Sequence, residues 1–405
     1  MNVDILHYAA PPVVGGVESV IAQHARVMTE NGHRVRILAG RGGQFDERIP
    51  FVSIPKVDSR HPEIEAVKVK LDQGSVPAEF NDQVARLADN LREICSGTQV
   101  LFAHNVCSLN KNLVLTAALR QLHDSDGLPR LVIWHHDLAW TTPRYQSELY
   151  EGYPWDLLRS DWPGAIQVVV SELRRRELAQ LIGVSRARIR VIPNGLDIAR
   201  FLKLETQTVE FIKKLDLLAA APLLLLPVRI TPRKNIELAL GVLAALRKEF
   251  PDVKLVVTGP LGPHNPANTR YFEKLRRIRL ELGLEGTAHF LAEYTQVYLP
   301  DEVIADFYHL ADALLLPSRE EGFGIPMLEA GLTGLPIFCA DIDSLRELGG
   351  DEVRYFSPDA DPSEVARMIA VALAEDKKFS LRWRVRRDYT WDKIFRAHIA
   401  NLLAT

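Results

Sequence analysis

The sequence predicts an α/β protein made of two Rossmann-like βαβ domains, each a parallel sheet with helices wound on both faces. Three observations predict it. The chain has 405 residues, more than the roughly 250 to 300 at which a single hydrophobic core stops growing. Short apolar runs alternate with longer segments of helical period along its length, which is the pattern of βαβ units. The rhythm is interrupted once, at "PNGLDIARF" (193–201), where a Pro-Asn-Gly turn signal marks a linker.

The first series reads "VDILHYA" with a helical stretch over 17–31, "RVRILAG", "VLFAH" with 109–123, "LVIWHH", "IQVVVS" with 172–182, and "IRVIP". The second reads "PLLLLPV" with 236–250, "VKLVVTG" with 271–282, "AHFLA" with 303–311, "DALLLPS" with 326–333, "LPIFCA", and "VRYFSP" with 362–374. The expected domains are therefore 1–202 and 203–380. The remainder, 381–405, reads as an amphipathic helix anchored by Trp383 and Trp391. It either completes the second domain or crosses back to the first.

Apolar residues at 47% and charged residues at 25% are those of a soluble globular chain. A net charge of -3 and a pI near 6.5 supply no general electrostatic reason to bind nucleic acid. The three cysteines, Cys95, Cys107 and Cys339, lack metal-ligand spacing and read as reduced core thiols of a cytoplasmic protein. "MNVDILHYAA" has no cationic leader or apolar signal core, which argues against export. The greasiest stretch, 217–228, is broken by Pro222 and Pro227 and falls short of the ~18 residues of a spanning helix. Peripheral contact with a membrane stays open.

Chemistry concentrates in "LLLPSREEGFGIPMLEAGLTGLP" (314–336). A strand delivers this loop to the carboxyl edge of its sheet, where open α/β sheets bind ligands. Gly322 and Gly324 let backbone approach a ligand, and Pro326 suits the first helical position, so a helix N-terminus that attracts anions follows. Glu321 from the loop and Glu329 from the first helical turn would accept hydrogen bonds from ribose or sugar hydroxyls. The competing reading makes Glu321 a solvated charge and Glu329 a complement to the helix dipole. A second anion feature is "PVRITPRKNIELALG" (227–241), where Arg229 and Lys234 flank a turn at Pro232 and a helix starts near Asn235. A guanidinium, an ammonium and helix N–H groups suit a diphosphate, although such residues in a βα loop are often merely solvated.

These stretches resemble the retaining GT-B glycosyltransferases of family 4, the "glycosyl transferases group 1". "EGFGIPMLE" fits the family's E-x7-E pattern with Glu321 and Glu329 at its ends, and "RITPRKN" is similar to its Arg-x4-Lys element. "GGVES", the "HD" at His136 and Asp137, "PNGLD", "VVTGP" and "YTWDKI" also fall where the family has counterparts. The resemblance spans nearly the whole chain and is strong in the second half. It implies a first domain for the acceptor, a second for the nucleotide sugar, and catalysis in the cleft between them. It further implies that Arg229 and Lys234 hold the donor diphosphate, Glu321 the transferred sugar and Glu329 the ribose. The rest of the implied donor set is Gly15, Gly16, Gly322, Phe323, Gly324 and Ile325. Two departures stand out: the family commonly has Gly before the Arg and after the Lys, where this chain has Val228 and Asn235.

In the first domain, "GGVES" could present the N–H groups of Gly15 and Gly16 to phosphates, or be a plain strand-to-helix turn. At "LVIWHHDLAW" the resemblance favours His136 as a polar group at the reaction centre. The alternatives are a strand-end histidine satisfied by backbone and a His135–His136–Asp137 metal site. Trp134, Trp140, Trp155 and Trp162, with Tyr145, Tyr150 and Tyr153, form the most aromatic segment. It would shape the acceptor pocket around Asp137, Trp140 and Tyr145, or anchor a long loop in the core, or insert into lipid. The D-x-D of "ADID" (340–343) is discounted, because it follows a late strand and the Arg229/Lys234 pair makes a leaving-group metal unnecessary.

The function so implied is transfer of a hexosyl unit, glucose or mannose, from a UDP-, GDP- or ADP-linked donor to a small-molecule, glycan or lipid-linked acceptor, without a required cofactor or metal. A UDP-sugar 2-epimerase of the same fold and a non-catalytic nucleotide-sugar or glycan-binding protein are the rivals.

Overall fold

The computed structural model describes residues 1–261, 266–295 and 297–404. They divide into two compact units: Met1–Gly195 joined by the segment from Tyr389 onward, and Leu196–Asp388.

The first unit carries β1 (Asn2–Ala9), β2 (Arg34–Arg41), β3 (Phe51–Ser53), β4 (Val100–His104), β5 (Arg130–His135), β6 (Ile166–Val169) and β7 (Ile189–Val191), in the order β3-β2-β1-β4-β5-β6-β7. All of its pairs are parallel. The strands have little polar surface to offer because both faces are covered. Alternate residues feed opposite cores. Leu6, Leu38, Leu101, Ala103 and Ile133 point to one side, and Ile5, Ile37, Phe102, Val132 and Trp134 to the other, as the two-residue period of a strand requires.

The second unit carries β8 (Leu223–Leu226), β9 (Lys254–Val257), β10 (Ala288–Phe290), β11 (Ala313–Leu316), β12 (Ile337–Ala340) and β13 (Arg354–Phe356), in the order β10-β9-β8-β11-β12-β13, again all parallel. Both units are thus Rossmann-like, as the GT-B fold requires. In each, the chain winds one way from the first strand and the other way from the fourth. The strand order therefore reverses between β1 and β4, and between β8 and β11, and loops leaving these pairs flank the crevice that such sheets use for ligands.

The sequence reading misses several elements, among them the helices Thr206–Leu215 and Asp343–Gly349. β3 has only three residues and lies at a sheet edge. The helices Pro62–Leu71 and Phe80–Ile94 were passed over although the second buries Phe80, Val84, Leu87, Ala88 and Leu91 at helical spacing. The second unit begins at Leu196 rather than at 203 because Asp197 caps a short helix, Ile198–Leu202, through Arg200 N at 3.0 Å, and Leu202 packs on that unit's core.

The expected terminal helix is also divided. Lys377–Asp388 stays with the second unit, where Arg386 Nη2 donates to Asp312 Oδ2 at 2.5 Å and Trp383 is half-buried beneath the Arg387 guanidinium. Thr390 then caps a new helix, and Trp391, Ile394, Phe395, Ile399, Leu402 and Leu403 join the first unit's core. Arg130 Nη2 fixes this tail by donating to the carbonyls of Leu402 and Leu403 at 2.8 and 3.1 Å. Cys95, Cys107 and Cys339 are free and buried. Among the described residues no helix is long and apolar enough to cross a membrane.

Asp312 and Arg386 are 0% and 4% exposed, and Asp312 Oδ2 also accepts the Leu223 amide at 2.8 Å. Removing one member strands the other charge in the core. Asp312→Ala is expected to lower unfolding free energy by about 3 to 5 kcal/mol in urea titrations, whereas Asp341→Ala, which breaks the exposed pair with Arg346, is expected to leave the unfolding midpoint nearly unchanged.

Candidate active site

In the second unit the loops after β8 and β11, the two strands at the order reversal, are stitched together. Arg319 N donates to Arg233 O at 2.8 Å, and Arg233 Nη1 to Glu320 O at 3.1 Å. Asn235 Nδ2 reaches Pro317 O at 3.1 Å and Pro358 O at 2.9 Å. Between them, Lys234 Nζ forms an ion pair with Glu321 Oε1, each side chain 9% exposed. Ser318 Oγ donates to the same carboxylate oxygen at 2.8 Å, so Oε1 is held twice. No described protein donor meets Oε2.

Of the two departures from the family pattern, that at Asn235 has a local explanation. Asn235 has φ 51°, in the left-handed region that favours glycine and tolerates asparagine, and its amide closes the two bonds to Pro317 and Pro358. The Val228 carbonyl lies where a Cβ on Gly259 would stand, 1.9 Å away. That close approach of the two backbones needs the bare Gly259 of "VVTGP".

After β11 the chain reaches Gly324 at φ 105°, where a Cβ would also press to 2.7 Å from Leu345, and the helix Ile325–Thr333 starts. Pro326 is therefore the second helical residue, and Glu329 stands beyond the first turn instead of within it. Glu329 is exposed, and Tyr308 Oη donates to its Oε2 at 2.5 Å. Gly322 has open space around it, and Phe323 and Ile325 are exposed. Tyr308 and Ser318 were not singled out from the sequence; each is recognisable only once the helix or loop facing the acid is known.

Arg229 does not join the Lys234–Glu321 pair. It is exposed, with its guanidinium 5.9 Å from the Tyr298 ring centroid. The helix that follows Asn235 offers fewer free N–H groups than expected, because Ile236 N already donates to Tyr271 Oη at 3.2 Å, which in turn donates to Glu237.

In the first unit Gly15 precedes the helix Gly16–Glu30 in extended conformation. The Glu18 carboxylate folds over it, leaving no room for a Cβ, whereas Gly16 is open. The carboxyl-terminal ends of β1, β4 and β5 gather histidines. His7 Nδ1 meets His104 O at 2.8 Å, His104 Nδ1 meets His136 Nε2 at 3.2 Å, and Glu18 Oε1 lies 3.9 Å from His7 Nε2. His24 lies against Trp134 and Trp391, with neither ring nitrogen bonded. Asn105, at φ 58°, accepts the amides of His136 and Asp137 at 2.7 and 3.2 Å and so fixes their turn. His135 points the other way, to Gln167 Oε1 at 2.8 Å, and Asp137 faces Arg174 at 3.4 Å. The three side chains of "HHD" diverge. Among the described residues no group of three His, Cys, Asp or Glu side chains is arranged to hold a metal ion.

The aromatic segment is largely core: Trp134, Trp155 and Trp162 are buried. Trp140 and Tyr145 are half-buried against the same core. Trp140 Nε1 donates to Trp155 O at 3.3 Å under the Arg159 guanidinium, and Tyr145 carries Arg144 on its ring.

Burial pushes the imidazoles toward the neutral form. His7 and His135 are lowered to about 4, His24 and His136 to about 3, and His104 well below its ordinary range, in each case chiefly by desolvation. His136 is half-exposed, so the four enclosed rings carry the consequence for stability. The unfolded chain binds their protons below pH 6.5 and the folded chain does not, so stability is complete above pH 6.5 and is lost as pH falls toward about 4. The expected slope approaches about 1.4 kcal/mol per pH unit for each enclosed histidine. Urea unfolding across this window checks it, with His24→Phe expected to flatten the slope by one proton.

The comparisons with known proteins follow the same division. The model for "Glycosyltransferase Family 4" matches residues 14–200, and that for "Glycosyl transferases group 1" matches 209–386. Each of the two Rossmann-like units is thus matched by one glycosyltransferase family model. The chain belongs to family 4, the glycosyl transferases group 1. It is 31% identical over 183 residues to the D-inositol 3-phosphate glycosyltransferase of Kineococcus radiotolerans, an alignment covering 44% of this chain and 40% of that protein. The chain thus spans less than half the length of that relative. It is 24% identical to the MMP alpha-(1->4)-mannosyltransferase of Mycolicibacterium hassiacum, covering 91% of this chain and 88% of the relative. Among solved structures, sucrose-phosphate synthase from Thermosynechococcus elongatus is 15% identical with a TM-score of 0.37, over 100% of both chains.

Proposed function

We propose that the protein is a retaining hexosyltransferase that moves a glucosyl or mannosyl unit from a nucleoside diphosphate sugar to an acceptor hydroxyl. The observation that carries this reading is the meeting of Lys234 and Glu321, from the two loops at the order reversal of one sheet. An ammonium with three N–H bonds, only one of them used by Glu321, has donors left for a diphosphate. The free Oε2 of Glu321 suits a sugar hydroxyl. Arg229 is exposed beside the same loop and adds a second cation for the leaving group.

In the reaction the bond between the anomeric carbon and the diphosphate oxygen breaks, and a bond from the acceptor oxygen forms on the same face. The departing phosphate takes the acceptor's proton. Negative charge grows on the diphosphate, so Lys234, Arg229 and nearby N–H groups stabilise the transition state more than the ground state. These cations do the work that a metal does in other transferases. Glu329 binds the ribose, with Gly322, Phe323, Gly324 and Ile325 lining the donor. The first unit takes the acceptor, with the neutral His136 offering it a hydrogen bond and Asp137, Trp140 and Tyr145 shaping its pocket.

Release of nucleoside diphosphate, measured across UDP-, GDP- and ADP-linked glucose and mannose, tests the reading. Acceptors are glycerate, sugar phosphates, phosphorylated polyols and lipids, the phosphorylated polyol and mannose being included because of the relatives' names. Acceptor-dependent release with retained anomeric configuration is expected. Lys234→Ala should lower kcat by at least about 10²-fold, and a chelator should leave turnover unchanged. Wild-type turnover in that variant, or isomerised sugar without acceptor, would overturn it.

A further inference from the structure

We propose that Tyr308 is the positioning residue for Glu329, and that their hydrogen bond sets how strongly the ribose of the donor is recognised. This rests on the donor-site reading above.

Tyr308 belongs to the helix Asp301–Leu310, immediately before β11, and is 2% exposed within the second unit's core. Its ring is therefore fixed by packing and not by the bond it makes. Only the hydroxyl reaches the neighbouring helix, Ile325–Thr333, where it stands 2.5 Å from Glu329 Oε2. Burial, reinforced by the Glu329 charge, pushes the phenol well above its ordinary range, so the proton stays on tyrosine and the carboxylate is the acceptor.

Glu329 is otherwise an exposed side chain on a helix surface. A free glutamate there samples many rotamers, and ordering it when a ligand arrives costs side-chain entropy. A donor rooted in the core removes most of that cost beforehand, which is how preorganisation raises affinity. It also chooses which oxygen is offered: Oε2 is taken, and no described protein group meets Oε1. A vicinal diol can donate to Oε1 and share Oε2, so the geometry favours ribose over a deoxyribose that lacks one of these hydroxyls.

The experiment compares binding of the nucleoside diphosphate with its 2′-deoxy and 3′-deoxy forms by calorimetry, in wild type and in Tyr308→Phe, which keeps the ring and deletes the donor. Both ligands meet the same protein sample, so a variant that is partly misfolded still reports a valid ratio. Wild type should prefer the ribo form over one deoxy form by about tenfold or more, and Tyr308→Phe should reduce that preference to about threefold or less. Glu329→Ala should abolish it, with Tyr308→Phe adding nothing further. If Tyr308→Phe does not fold, 2,3-difluorotyrosine at 308, a stronger donor of similar shape, should raise the preference instead. A wild-type preference that survives in Tyr308→Phe, or one indifferent to the fluorinated ring, would overturn the positioning role. Absence of nucleoside diphosphate binding in wild type would instead sink the donor-site reading on which it rests.

Discussion

Lys234 and Glu321 stand 87 positions apart in the chain and meet as a buried ion pair. Withdrawing two such charges from water costs several kcal/mol per ion, and their attraction offsets this only when geometry is good and further hydrogen bonds complete it. Here Ser318 supplies the further bond, and the contacts of Arg233 with the backbone of Arg319 and Glu320 hold the loops together. Much of the local sequence serves that one contact. Asn235 accepts a left-handed conformation so that the chain can turn into its helix directly after Lys234, and Gly259 stays bare so that the β8 loop can lie close.

The same economy governs both acids of the E-x7-E stretch. Each has one carboxylate oxygen fixed by a protein donor, Ser318 and Lys234 on Glu321 and Tyr308 on Glu329, while its other oxygen has no protein partner among the described residues. A carboxylate held this way keeps one orientation and retains acceptor capacity for hydroxyls. Glu321 is held within a buried pair and Glu329 at an exposed surface, so they differ in how much water surrounds the open oxygen. Glu321 is the better placed to act where water must be excluded.

The fold was legible because its signal is coarse. Buried parallel strands are short apolar runs, and "PLLLLPV", "VKLVVTG" and "DALLLPS" each became a strand feeding a loop. The two cations and the two acids could be singled out because each pair's spacing is local, one pair after β8 and the other after β11. What the sequence hid was partnership. That Lys234 is already engaged by Glu321, that Arg229 is not, and that Tyr271 occupies the first N–H of the following helix are all consequences of contacts between distant segments. The terminal segment reads as one helix because its apolar period continues across Tyr389 and Thr390, while the break depends on Arg386 tying its first half to Asp312 in the second unit and on its second half entering the first unit's core.

The histidines of the first unit complete the physical picture. His7, His104 and His135 stand toward the carboxyl ends of β1, β4 and β5, beside the reversal of that sheet's order, and burial keeps them neutral. A neutral imidazole both donates and accepts, and it adds no charge. The second unit instead keeps its cations, Arg229 exposed and Lys234 paired with Glu321. The two sheets share the same reversal of strand order and differ in which charges each one buries, pairs or neutralises.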